Sequence, residues 1–271
     1  MKCIESDCSL LINSCDAYSD TWKPFFRILH RRWSDLCMPV YLNTEHKKCD
    51  VPEFEVHTLN YEGNHEWGGR LKGALENIST EFVLVMLEDF FLQGDVRSDI
   101  IEQCLGYMRN DSEISCISFL PVGKHFYENN VGDREEYPGF VRRNNNERYI
   151  LCCVPALWRR KDLIFFTRNW QNPWIWEAYG HYYVRKSRKK FYCRLPGRED
   201  VFLYDVVRGG AIHRGKWVGC SVRKILKDNN ITIDLEKRGV IEDWTLQGYA
   251  EKISLARKLK NRIYIVRSLI S

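Results

Sequence analysis

None of the eleven cysteines forms a C-x-x-C pair. Zinc ribbons and thioredoxin-type redox sites need that spacing, so neither is supported. The chain also lacks G-x-G-x-x-G and G-x-x-x-x-G-K-[ST]. It therefore shows neither a dinucleotide fingerprint nor a P-loop. No apolar run approaches the roughly 20 residues that span a bilayer. There is no internal repeat and no low-complexity tract. No RNA- or DNA-binding motif accompanies the basic residues, so nucleic acid is not an expected partner. The N-terminus, MKCIESDCSLLINSCD, has acids before a short apolar run and no small-residue cleavage site, so a signal peptide is not expected.

What is present is an ordinary globular composition: 271 residues, 44% hydrophobic and 28% charged, with net charge +5. That length can bury a large α/β core. The cysteines lie mostly in apolar contexts such as SCISF and YILCCV, where a free thiol acts as a small hydrophobe. The expectation is reduced thiols in a cytoplasmic protein.

The stretch EFVLVMLEDFFL is the most informative. Val83 to Leu87 is apolar without alternation, as in a strand covered on both faces. Glu88 and Asp89 then fall at its carboxyl end, where open α/β sheets bind ligands. Two carboxylates about 4 Å apart repel by roughly 4 kcal/mol at an effective dielectric near 20. A magnesium or manganese ion would remove that cost, and a neutral sugar hydroxyl is the alternative partner.

Along the chain, SLLINS, MPVYLNT, FEVHTLN, EFVLVMLEDFFL and ISCISFLP read as strands. TWKPFFRILHRRW, RLKGALENIS and Asp95 to Asn110 read as helices, the first capped by Asp20 or Thr21 with Pro24 in its first turn. This order predicts a doubly wound sheet. Val122 to Arg148 reads as one long polar loop, a candidate lid. YILCCVPALW, KFYCRL and VFLYDVV read as later strands, RKDLIFFTRNW as a helix, and the chain from about Ile241 as helical. Three divisions result: 1–120, 121–240 and 241–271.

Other candidate residues come from local pattern. Gly68 and Gly69 before Arg70 leave helix-start N–H groups open to an anion. In NSCDAYSD, Asp16 can accept from a base or ribose and Tyr18 can stack. PWIWEAYG sets Glu177 among Trp174, Trp176 and Tyr179; aromatic walls suit a sugar, and a desolvated glutamate suits a general base. Glu199 and Asp200 of GRED are rivals for that role. His213 and Lys216 could close over phosphate or metal. ISLARKLKNRIYIVRSLIS can lie on an anionic leaflet or pack on its own domain.

Taken together, SCDAYSDTWKPF, WGGRLKGAL, LEDFF, PWIWE and GKW resemble, in this order, bacterial glycosyltransferases of the GT-A fold from polysaccharide gene clusters. The resemblance implies a GT-A-like α/β fold: a mixed, mostly parallel sheet flanked by helices, with a C-terminal helical segment. It implies a nucleotide-sugar donor, a glycan or lipid-linked acceptor, and a location in the cytoplasm or on the inner face of the membrane. Asp16, Tyr18 and Asn43 take the nucleotide, and Arg70 the diphosphate. Glu88 and Asp89 take a divalent cation (Mn or Mg) or the ribose, although E-D-F departs from a D-x-D motif. Trp174 and Trp176 face the acceptor, Glu177 is the base of an inverting enzyme, and His213 or Lys216 offsets leaving-group charge. A sugar nucleotidyltransferase and a non-catalytic glycan-binding or scaffold protein are the alternatives.

Overall fold

Leu10 and Ile12 pack on one side of the first strand, and Leu11 packs on the other. Phe82, Leu84 and Met86 are likewise separated from Val83 in the strand that carries the acidic pair. That two-sided burial explains the unbroken apolar runs, and it sets the architecture. The computed structural model describes residues 7–53, 55–61, 66–126, 135–242, 244, 263, 264 and 266.

The elements in chain order are β1 (Cys8–Asn13), α1 (Ser19–Arg32), β2 (Val40–Thr44), β3 (His57–Asn60), α2 (Trp67–Glu76), β4 (Phe82–Met86), α3 (Ser98–Asn110) and β5 (Ile114–Ser118). Then follow β6 (Glu135–Tyr137), β7 (Phe140–Arg142), β8 (Ala156–Arg159), α4 (Arg160–Phe166), α5 (Pro173–Tyr179), α6 (His181–Val184) and β9 (Lys190–Arg194). The remaining elements are β10 (Ile212–His213), β11 (Lys216–Val218), α7 (Gly219–Asp228) and β12 (Val240–Ile241). A nine-stranded mixed sheet has the order β3-β2-β1-β4-β8-β5-β9-β7-β6, and β10-β11-β12 form a small second sheet. β1 to β4 run parallel, and β8 runs against both β4 and β5. Helices α1 and α3 cover one face through Trp22, Phe25, Phe26, Ile101 and Leu105. α2, α4 and α5 cover the other through Leu71, Leu75, Leu163 and Trp176. The fold is the mixed, mostly parallel sheet flanked by helices that the sequence predicts. Because β8 and β9 enter the main sheet, residues beyond 120 share one core with the first half.

Several local expectations are corrected. Helix α1 begins at Ser19, so Pro24 lies inside it, past the first turn, and its cap Tyr18 contributes no side-chain bond. Instead, the Thr21 hydroxyl donates to the Tyr18 carbonyl at 2.7 Å. Within YILCCVPALW only Ala156 onward is strand; Ile150 and Leu151 are buried without pairing in the sheet. VFLYDVV is not a strand either. Val201 and Phe202 are fully buried, and Phe202 packs edge-on against Trp33 and Phe119. The apolar spacing there serves side-chain packing and not a hydrogen-bonded ladder. The polar stretch from Val122 to Arg148 contains the β6–β7 hairpin, joined to the sheet through β7 and β9; residues 127–134 lie outside the described ones. Most of the C-terminal stretch expected to be helical also lies outside them. Cys37 is disulfide-bonded, contrary to the expectation of reduced thiols, while the other described cysteines form no disulfide. Among the described residues, no helix is long and apolar enough to cross a membrane.

Candidate functional site

From β1 the chain turns toward β2, and from β4 it proceeds to the opposite side of the sheet. The loops after these adjacent strands therefore diverge, leaving a crevice at their carboxyl ends. Glu88 and Asp89 stand at that point. Glu88 is 6% exposed. It accepts a hydrogen bond from Ser14, whose hydroxyl in turn accepts from Trp22 Nε1 at 2.7 Å. The Asp89 carbonyl accepts the Ala211 N–H at 2.8 Å. Asp89 Oδ1 is buried with no hydrogen-bond partner.

Burial pushes both acids up. Glu88, further raised by the neighbouring Asp89 charge, reaches about 8, and Asp89 reaches about 7. Gly210 explains how the later chain comes so close. Its φ is +103°, and a Cβ there would sit 3.0 Å from the Asp89 carbonyl and 3.2 Å from Oδ2. Only glycine meets both conditions without strain.

The first-strand loop supplies the next layer. The Arg238 guanidinium lies 4.7 Å from the Tyr18 ring centroid. It bonds Asp20 Oδ2 at 3.0 Å and the Ala17 carbonyl at 2.7 Å. Burial, then the charges of Glu88 and Asp89, raise the Tyr18 phenol. No local motif would find Arg238: it comes from 218 residues beyond Asp20 to sit beside residues 17–20.

Asp16 is heavily bonded. Its carboxylate accepts from the Thr44 hydroxyl at 2.5 Å and from the N–H groups of His46 at 3.2 Å and Lys47 at 3.1 Å. Burial works against ionisation, but these bonds outweigh it and hold the carboxyl well below its usual range. Arg70 pairs with Glu45 at 3.0 Å, and Glu45 also accepts the Asp16 N–H. The chain Arg70–Glu45–Asp16–Thr44 thus ties the β1 loop to the end of β2. Asn43 is buried beside Asn13, donating to its Oδ1 at 2.6 Å, and its own Oδ1 has no partner. The Gly68 N–H is not open to an anion. It donates to the Gln171 carbonyl at 2.8 Å, and a side chain there would strike the Arg168 carbonyl.

On the other side of Asp89 is a cleft of about 620 Å³, lined by Leu87, Phe90, Leu120, Lys124, Tyr149 and Tyr204, among others. Tyr204 stacks on Phe90 with centroids 4.5 Å apart. Cys153 also lines the cleft, and its N–H donates to Glu177 Oε1 at 2.7 Å. Burial raises the Glu177 carboxyl despite that bond. Glu177 itself is not among the lining residues, whereas Asp89 is. The two tryptophans separate. Trp176 is 3% exposed and packs against Trp67 and Trp158 in the core, while Trp174 is 68% exposed. A ring buried in the core offers no open face to a sugar. His213 and Lys216 lie opposite each other in the β10–β11 hairpin that follows Ala211. The His213 ring stacks on Trp244 at 3.6 Å, and burial followed by the Arg214 charge lowers its pKa.

Among the described residues, no group of three or more His, Cys, Asp or Glu could hold a metal. Magnesium is commonly held by one or two carboxylates plus substrate phosphates. The partnerless Asp89 oxygen and the adjacent Glu88 fit that arrangement.

No protein-family model and no curated protein matches the sequence. Among solved structures, a cytidylyltransferase from Leptospira borgpetersenii is similar at TM-score 0.43 and 10% identity, over 72% of this chain and 78% of that one. S. aureus TarS 1–349 gives TM-score 0.42 and 13% identity over 70% of this chain, which spans 60% of TarS 1–349. The 2-C-methyl-D-erythritol 4-phosphate cytidylyltransferase of Thermus thermophilus gives TM-score 0.36 and 13% identity, over 96% and 98%. The α/β assignment rests on the strand order and directions, not on these overlaps.

Proposed function

We propose that this chain is a glycosyltransferase that moves a sugar from a nucleotide-sugar donor to an acceptor hydroxyl. One observation carries the reading: a carboxylate pair, Glu88 buried and Asp89 with a buried, partnerless oxygen, at the point where the β1 and β4 loops part. Glu88 stands toward the Ser14–Tyr18 loop, and Asp89 opens into the large cleft. The first side is assigned to the nucleotide diphosphate and the second to the acceptor. Both carboxylates would repel a bare diphosphate, so Glu88 and Asp89 are assigned to hold a divalent cation that neutralises the leaving group when bound. Arg238 and Arg70, ion-paired with Asp20 and Glu45, are assigned to the donor side.

In the proposed step, an acceptor oxygen forms a bond to the anomeric carbon. The bond from that carbon to the diphosphate oxygen breaks, and its electron pair leaves with the nucleoside diphosphate. The hydroxyl proton goes to Glu177, whose carboxyl is raised above its ordinary value by burial. The hydrogen bond from the Cys153 N–H, in the cleft wall, supports assigning Glu177 to the acceptor side, although Glu177 itself does not line the cleft. Assembly of bacterial surface polysaccharide, with contact to an anionic membrane, is the setting we assign to this activity.

The test is release of nucleoside diphosphate from UDP-, GDP- and CMP-sugars (CMP for the last), with glycan acceptors, with and without manganese. Glu177→Gln should retain donor binding and lose transfer by roughly 10²–10⁴-fold. Asp89→Asn should lose both. Pyrophosphate release from a nucleoside triphosphate and a sugar phosphate, with no transfer from any nucleotide sugar, would replace this reading with a nucleotidyltransferase.

A further inference from the structure

Tyr149 has φ +58°. A bulky residue in the left-handed region is an outlier that persists only when its surroundings hold it there. They do so here. The Cys152 thiol donates to the Tyr149 carbonyl at 2.6 Å, and buried Arg143 donates from Nη1 to the next carbonyl, Ile150, at 2.9 Å. The strained turn leaves Tyr149 44% exposed at the cleft it lines. A tyrosine that served only packing would not be kept strained and half open to water.

Among the described residues lining the cleft, Arg148 and Lys124 are cationic and Asp89 and Glu147 are acidic. Arg148, exposed, places its guanidinium 5.6 Å from the Tyr149 centroid, and it lines the cleft with Lys124. The nearby acid, Glu147, is already engaged by Arg143 at 3.3 Å and by the Lys124 N–H at 2.8 Å. Gly123 makes this possible: at φ +63°, a Cβ would strike the Glu147 carboxylate. The cleft thus pairs a flat aromatic surface and apolar walls with cationic side chains at its rim.

We propose that the acceptor is an anionic sugar. Its apolar ring face stacks on Tyr149, and its phosphate or carboxylate meets Arg148 beside Lys124. This names the acceptor class for the transferase proposed above and rests on that reading.

The test is calorimetric titration of the full chain with α-D-glucose 1-phosphate, glucuronate, methyl α-D-glucopyranoside and inorganic phosphate. At least one anionic sugar should bind about tenfold more tightly than the neutral glycoside and than phosphate alone, as expected of a charge-assisted contact. Whether the phosphate or the carboxylate is preferred identifies the anion. Arg148→Ala should remove most of that preference. Tyr149→Gly should weaken the anionic sugar several-fold without lowering the thermal midpoint, because glycine accepts the left-handed backbone. A ring needed only for packing would lower midpoint and affinity together. Equal affinity for neutral and anionic sugars would overturn the proposal, as would binding of phosphate alone as tightly as the sugar phosphate. A parallel titration with UDP keeps the two readings apart. UDP binding without the sugar preference sinks only the acceptor class; the sugar preference without nucleotide binding sinks the transferase.

Discussion

The acidic pair should make the metal-free protein lose stability as pH rises, the reverse of an ordinary salt-bridged carboxylate. In the folded chain Glu88 titrates at about 8 and Asp89 at about 7, against ordinary values of 4.5 and 3.8. Both groups are raised, so between about pH 5 and 8 the folded state binds more protons than the unfolded state. Linkage then requires the unfolding free energy to fall as pH rises through that window. At about 1.4 kcal/mol per pH unit, a single acid displaced by roughly three units corresponds to about 4 kcal/mol. The two acids titrate as a pair, so their effects do not simply add. A loss of about 2–4 kcal/mol between pH 5 and 8 is expected. For a protein of this size that is roughly 5–10 °C in melting temperature.

The assay is urea unfolding in chelator at pH 5, 6, 7 and 8, comparing wild type with Glu88→Gln/Asp89→Asn. His181 and His213, whose pKa values burial lowers, act with the opposite sign. The difference between the two proteins is therefore the informative curve. It should rise in favour of the variant toward pH 8, and adding magnesium or manganese should restore the wild type alone. A flat difference curve would refute the claim that these carboxylates are buried together at a cost.

Gly210→Ala should destabilise the fold by about 1–3 kcal/mol through backbone strain and contact with Asp89, read by denaturant midpoint, and transfer activity should fall with it. Arg238→Ala should weaken UDP or GDP binding about tenfold, in line with loss of a charge-assisted contact, with calorimetry as the check; unchanged affinity would remove Arg238 from the donor site. Asp16, whose pKa is lowered, contributes stability present above its unfolded value and lost as pH falls below about 4. Asp16→Asn should therefore be less stable than wild type at pH 7, with the gap closing below pH 4 in an acid-unfolding series.

The core of the site was legible because it is local. Burial on both sheet faces wrote an unbroken apolar run into β4, and the carboxylates that follow can only lie at its carboxyl end. The alternation of strands and helices predicts a doubly wound sheet, but not the antiparallel insertion of β8 between β4 and β5. What brings Gly210 and Arg238 to Asp89 and Tyr18 is tertiary, over separations that no local period reports. The misread strands show the same limit. Ile150, Leu151, Val201 and Phe202 are apolar because they fill space between layers, and a short apolar run looks alike whether it pairs or packs. The clustered aromatics of PWIWEAYG read as a sugar platform, yet Trp176 is packed in the core against Trp67 and Trp158, which come from distant parts of the chain. The strain at Tyr149 is visible only in its backbone angle, at the first residue of YILCCVPALW, a stretch whose composition reads as a strand.

The most direct test of the account is thermal unfolding with UDP, GDP and CMP and their sugar conjugates, each with and without manganese. A ligand at about a hundred times its dissociation constant adds roughly 2.7 kcal/mol. The account predicts a rise of several degrees with one nucleotide class, larger with manganese and absent in Asp89→Asn. No rise with any nucleotide, in either condition, would contradict it.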